Sequence, residues 1–156
     1  MATQLTPHFT LEEMCFSYTA ARLGIKNTVK LDSNQAVNLK ALCDNILEPF
    51  RAKAYAVATP IHINSGYRSG PCNKVVGGAK SSQHLTGQAA DITVLGLPPF
   101  AVCQRIIAMR LPFDQLILEF GQWTHVSYST ERQRGQVLTA KRINGKTKYL
   151  PGLVKP

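Results

Sequence analysis

"QLILEFGQWTHVSYS", Gln115–Ser129, is the stretch on which the fold turns. Its apolar runs, "QLILEF" and "THVSYS", are rich in branched and aromatic residues, and only a glycine-containing turn separates them. They therefore read as two adjacent antiparallel strands joined by a very short loop. If Gly121-Gln122-Trp123 form that loop, Glu119 stands directly opposite His125. Directly opposed residues share a sheet face, with β-carbons roughly 4.5–5.5 Å apart. A slip of one residue would send Glu119 to the other face.

The reading extends in both directions. Downstream, "QVLTAKR" and "TKYL" form a hairpin around Asn144-Gly145. Upstream, "AADITV" reads as a strand, and "IHINS" (61–65) alternates apolar and polar residues as a half-buried strand does. Between these two, residues 66–88 are mostly loop, with one helical turn near Lys74–Val76. "PPFAVCQRIIAMRL" opens with prolines suited to a first helical turn and carries a stripe through Val102, Ile106 and Met109. Earlier still, Thr10 with Glu13 makes a capping-box start, and Gly24 stops the helix that "TAARL" ends. Asp32 or Ser33 then opens the longest helix, with Val37, Leu42, Ile46, Leu47 and Phe50 at near-helical spacing and Pro49 kinking or ending it. Helices lead and strands follow. The expected class is α+β, a mainly antiparallel sheet with N-terminal helices packed on it, as a single domain over residues 1–156.

Composition sets limits on function. The chain has 156 residues, 44% apolar and 17% charged, which suits a globular domain with a real core. No run approaches the roughly 18 apolar residues of a membrane span. The opening "MATQLTPHFTLEEM" lacks a signal-peptide pattern, so the chain is expected to be made and left in a cytoplasm, and if it acts outside, something other than its own signal must release it. Cys15, Cys43, Cys72 and Cys103 form no CxxC pair and read as free thiols. The net charge is +9, and residues 131–156 hold seven Lys or Arg against one acid, Glu131. Such a segment attracts any polyanion, or simply forms a solvated basic surface. Without interleaved aromatics beyond Tyr149 or a recognised motif, specific nucleic-acid binding is not expected.

The chemistry concentrates in "NSGYRSGPCNKVVGGAKSSQHLTGQAADI", residues 64–92. His84 offers an imidazole nitrogen and Asp91 a carboxylate oxygen, both good zinc ligands, with Gly87, Ala89 and Ala90 leaving room for the loop to fold back. His125 is the third candidate, and three protein ligands leave one position of a tetrahedral ion open. Glu119 is the candidate base. Arg68 could stabilise developing negative charge, and Ser82, Tyr67 and Trp123 are candidate substrate contacts. Each also has a plain structural reading: a packed histidine, a capping aspartate, a lysine-paired glutamate, a core tryptophan.

"SSQHLTGQAAD" resembles the S-x-H-x-x-G-x-A-x-D signature of the M15 peptidases, the zinc D-alanyl-D-alanine carboxypeptidases and related peptidoglycan peptidases, with "SGYRS" and "WTHVS" in the family's order. "FTLEEM", "TAARLGI" and "ILEPFRA" look like the short M15 proteins often carried by bacteriophages, so the resemblance runs from about Phe9 to Ser129. It implies Zn2+ held by His84, Asp91 and His125, with Arg68 at the scissile carbonyl, and cell-wall stem peptides as substrate. Many relatives place the catalytic acid three residues before the last histidine, where this chain has Gln122, an amide. Glu119 instead resembles the arrangement in hedgehog signalling domains.

The expectation is a monomeric zinc peptidase of peptidoglycan stems, an endolysin-type phage endopeptidase drawn to an anionic envelope by its basic C-terminal segment. L-alanyl-D-glutamate, D-alanyl-diaminopimelate and terminal D-alanyl-D-alanine bonds are the candidate targets. The alternatives are a D-Ala-D-Ala carboxypeptidase of wall remodelling and a non-catalytic, hedgehog-like zinc binding module.

Overall fold

The computed structural model describes residues 1–55 and 57–156. Six strands form the main sheet in the order β3-β4-β6-β5-β7-β8: β3 Ile61–Ser65, β4 Ala89–Val94, β5 Gln115–Glu119, β6 Trp123–Ser127, β7 Gln136–Ile143 and β8 Lys146–Pro151. All neighbours are antiparallel except β5 and β7, which run parallel because β6 has taken the hairpin position beside β5. A two-stranded ribbon, β1 Gln4–Thr6 and β2 Phe9–Thr10, precedes the helices. The class is α+β, as the order of patterns predicts.

The helices start and stop where the polar and glycine residues direct. α1 (Leu11–Cys15) begins at Thr10, whose side chain accepts the Glu13 amide, and α2 (Tyr18–Leu23) ends on Gly24 at φ 66°. α3 (Asn34–Leu42) is capped by Ser33. Pro49 neither ends nor breaks the long helix. A π-helical turn, Cys43–Leu47, passes the chain into α4 (Glu48–Lys53), so the wider hydrogen-bond pattern falls just where the proline ring would press on the preceding turn. Val37, expected on the apolar stripe, is 60% exposed, while Leu39, Leu42, Ile46, Leu47 and Phe50 are fully buried. α5 (Gly70–Val75) is longer than the single turn expected, and α6 (Pro99–Ala108) buries Val102, Cys103 and Ile106.

One face of the sheet is the core. Ile61 and Ile63, Ala90 and Ile92, Leu116 and Leu118, and Val126 belong to the buried cluster, with the helices supplying the remainder. The alternate residues, Asp91, His125 and Glu119, are only partly buried and lie on the opposite face. The four cysteines are free and buried. Among the described residues no helix is long and apolar enough to cross a membrane.

The register of the central hairpin differs from the one expected. Glu119 pairs with Trp123, and His125 pairs with Ile117. The turn is Phe120-Gly121-Gln122, with Phe120 and Gly121 both left-handed (φ 56° and 66°) and the Gln122 amide donating to the Glu119 carbonyl at 2.9 Å. Trp123 is thus a strand residue, stacked edge-on against Phe120 at 5.7 Å. The displacement is two residues, which preserves the side-chain period, so Glu119 remains on the His125 face as a diagonal neighbour.

Candidate metal centre

Three segments converge on the open face of the sheet. Asp91 of β4 is directly paired with His125 of β6. A bulge in β3 between Ile63 and Ser65 brings Ser65 opposite Asp91, so the chain leaves β3 at Gly66 beside the site. His84 comes from a 3₁₀ turn, Gln83–Thr86, capped by the Ser82 hydroxyl and closed by Gly87 at φ 75°. Gly87 is required twice, for its positive φ and because a β-carbon there would sit 2.4 Å from the Gln35 carbonyl oxygen of α3. Asn38 of α3 also donates to the Thr86 carbonyl at 2.9 Å. The helix therefore sets the position of the His84 loop.

His84 is 1% exposed. Its Nδ1 is 2.6 Å from the Gly66 carbonyl oxygen, which can only accept; Nδ1 must carry the proton, and Nε2 presents its lone pair to the site. Nε2 is 3.4 Å from Asp91 Oδ2, and His125 Nδ1 is 2.9 Å from Asp91 Oδ1. One donor atom from each of the three lies within 4.8 Å of the others. A tetrahedral ion with bonds of about 2.0–2.1 Å holds its ligands about 3.3 Å apart. Two imidazole nitrogens and one carboxylate oxygen at this spacing fit zinc, and three protein ligands leave one position of a tetrahedral ion open. Burial alone would raise the Asp91 carboxyl and lower the His84 imidazole, and it does depress His84. For Asp91 the facing histidines outweigh burial and hold the carboxyl well below its ordinary range.

The remaining candidates surround this group unequally. Burial raises the Glu119 carboxyl, against the pull of His125 and Arg68, so its charge senses the metal face. Arg68 donates its backbone amide to the His84 carbonyl at 3.0 Å and a terminal N–H to Ser82 Oγ at 3.4 Å. Its Nε–H is buried without a protein acceptor among the described residues, and burial lowers its pKa. Ser82 links the Arg68 head group to the His84 amide, and beyond it a polar cavity of about 490 Å³ is lined by Ser81, Gln83, Gln88, Ser129 and Arg132. Tyr67 packs against the core, and burial raises its phenol. Trp123 flanks Glu119 directly. Gln122 sits exposed in the turn.

The Peptidase M15 family model matches residues 7–127. The chain belongs to the M15 peptidases. Within it, 33 residues are 54% identical to the zinc D-Ala-D-Ala carboxypeptidase of Streptomyces albus G, covering 21% of this chain and 13% of that protein. Family and donor set together assign Zn2+ as the metal of this M15 chain.

Two supports of the M15 site carry little signal in the sequence. The Gly66 carbonyl that orients His84 belongs to the backbone; only the glycine itself hints at close approach, and a β-carbon there would lie 2.2 Å from the Met14 carbonyl oxygen. Asp114 is fully buried between the site loop and the chain leading to β7. It accepts from Gln83 Nε2 at 3.0 Å and from Arg134 Nε at 2.7 Å.

Proposed function

We propose that this M15 zinc peptidase hydrolyses peptide bonds in the stem peptides of bacterial peptidoglycan, as an endolysin-type endopeptidase. The observation that carries the reading is the convergence on the His84–Asp91–His125 group of Glu119, from the His125 face of β5, and Arg68, from the loop after β3 whose amide donates to the His84 carbonyl. Zinc, when bound, supplies a Lewis acid at the scissile carbonyl and lowers the pKa of water toward 7. Glu119 accepts the proton of the attacking water and returns it to the leaving amine. Arg68, lacking a carboxylate partner at hydrogen-bond distance, donates to the oxygen on which charge develops. The Gly66 carbonyl keeps His84 in the ligating tautomer.

The wall substrate is supported by the name of the Streptomyces relative and by the local charge. With seven cations against one acid, residues 131–156 favour an anionic envelope at low ionic strength. The lysis role rests on the likeness of the N-terminal motifs to short phage-borne relatives.

The test is digestion of purified peptidoglycan by zinc-loaded protein, with the new termini identified by mass spectrometry. Those termini also separate endopeptidase from carboxypeptidase action. Glu119→Gln should lower turnover by about 10²–10⁴-fold while zinc stays bound. If zinc-loaded wild type leaves every stem intact, the cleft serves recognition alone.

A further inference from the structure

The C-terminal hairpin lies outside residues 7–127, which match the M15 family, yet it extends the sheet face that carries the candidate site. The pairings Trp123–Glu119, Glu119–Ala140 and Ala140–Tyr149 put four residues in one row across β6, β5, β7 and β8. Paired residues share a face, so Tyr149 stands on the side of Glu119, whereas Lys146 and Lys148 alternate to the other side. Two strand spacings separate the backbones of Glu119 and Tyr149 by about 10 Å. Ala140 between them offers one methyl and is completely buried, so nothing bulky divides the two longer side chains.

Tyr149 is itself 54% exposed. Its phenol is raised first by burial and then by the carboxylates of Glu119 and Asp91, which keeps it a protonated donor. The metal row, Asp91–His125–Ile117–Leu138, runs alongside, one step along the strands.

We propose that Tyr149 is a substrate-binding residue, its phenol O–H donating a hydrogen bond to an acceptor oxygen of the peptide on the side of Glu119 remote from the metal ligands. The hairpin is then a wall of the catalytic cleft. This rests on the peptidase reading for the identity of the substrate, and its test separates the two.

Zinc-loaded full-length wild type, Tyr149→Phe and Tyr149→Ala are compared on purified peptidoglycan, with zinc content and Tm measured in parallel. Tyr149→Phe should lower kcat/KM about tenfold, mainly through KM, with zinc content and Tm unchanged. Activity within twofold of wild type overturns the proposal, and so does a matching loss of zinc or Tm. Should wild type itself cleave nothing, the peptidase reading fails and the pair is compared by co-sedimentation with insoluble peptidoglycan. There Tyr149→Phe should bind about tenfold more weakly, and equal binding overturns the proposal.

Discussion

A backbone carbonyl decides which nitrogen of His84 is free to ligate, and the geometry of Gly66 decides where that carbonyl lies. The glycine is pressed against the end of α1, where the Tyr67 amide also donates to Met14 O at 2.8 Å. Gly66→Ala must displace either α1 or its own carbonyl, since the added carbon would sit 2.2 Å from Met14 O. The expected cost is about 1–3 kcal/mol of stability and a 10–100-fold loss of zinc affinity, read by thermal melting and by competition with a chromophoric chelator. Gly70→Ala is the control, because nothing lies within 4 Å of its β-carbon, and it should leave both unchanged. The convergence of His84, Asp91 and His125 has a sequence signal at the residue scale: His84 and Asp91 occur in one short motif whose small residues show that the loop must fold tightly. The Gly66 carbonyl was not legible, because every residue carries one and only the fold selects which is used.

Elements carried more ambiguity than residues. The central hairpin was recognisable from its apolar runs, but its register depended on whether Trp123 was turn or strand, which composition does not decide. In the fold it is a strand residue, paired with Glu119 and edge-on to Phe120. The long helix was legible apart from its passage through Pro49, where a π turn replaces the expected break. Asp114 was invisible because its partners, Gln83 and Arg134, are 31 and 20 residues away in sequence. It joins the His84 turn to the chain leading into β7, and the Arg134 hydrogen bonds, opposed by burial, hold its carboxyl at about 2 against an ordinary 3.8. A folded value below the unfolded one stabilises the protein above the unfolded pKa, and that stability is lost as pH falls from about 4 toward 2. The shift corresponds to about 2 kcal/mol, reduced to about 1–2 kcal/mol because Arg134 is partly in solvent. Asp114→Asn should therefore melt several degrees below wild type at pH 7, and the gap should narrow as pH approaches 2. A gap that is constant across this range would show that the ion pair is not its source.

At the scale of the whole molecule, the site joins elements that are distant in the chain. α1 and α3 fix the loop carrying His84, β4 and β6 carry Asp91 and His125, and Asp114 ties the return to β7 back to Gln83. Metal binding and global folding must then be coupled, since the unfolded chain holds no such convergence. A ligand that binds only the folded state at about 100 times its dissociation constant adds about 2.7 kcal/mol. For a domain of this size that corresponds to about 5–10 °C in Tm. Removing zinc with a chelator should lower Tm by this amount, and restoring zinc alone should recover it, as followed by calorimetry. In His84→Ala the chelator should produce little or no shift, since the buried ligand that joins the 3₁₀ turn to the sheet is gone. A Tm indifferent to chelator in the wild type would mean that the two histidines and the aspartate are held together by packing and their own hydrogen bonds, without an ion to join them.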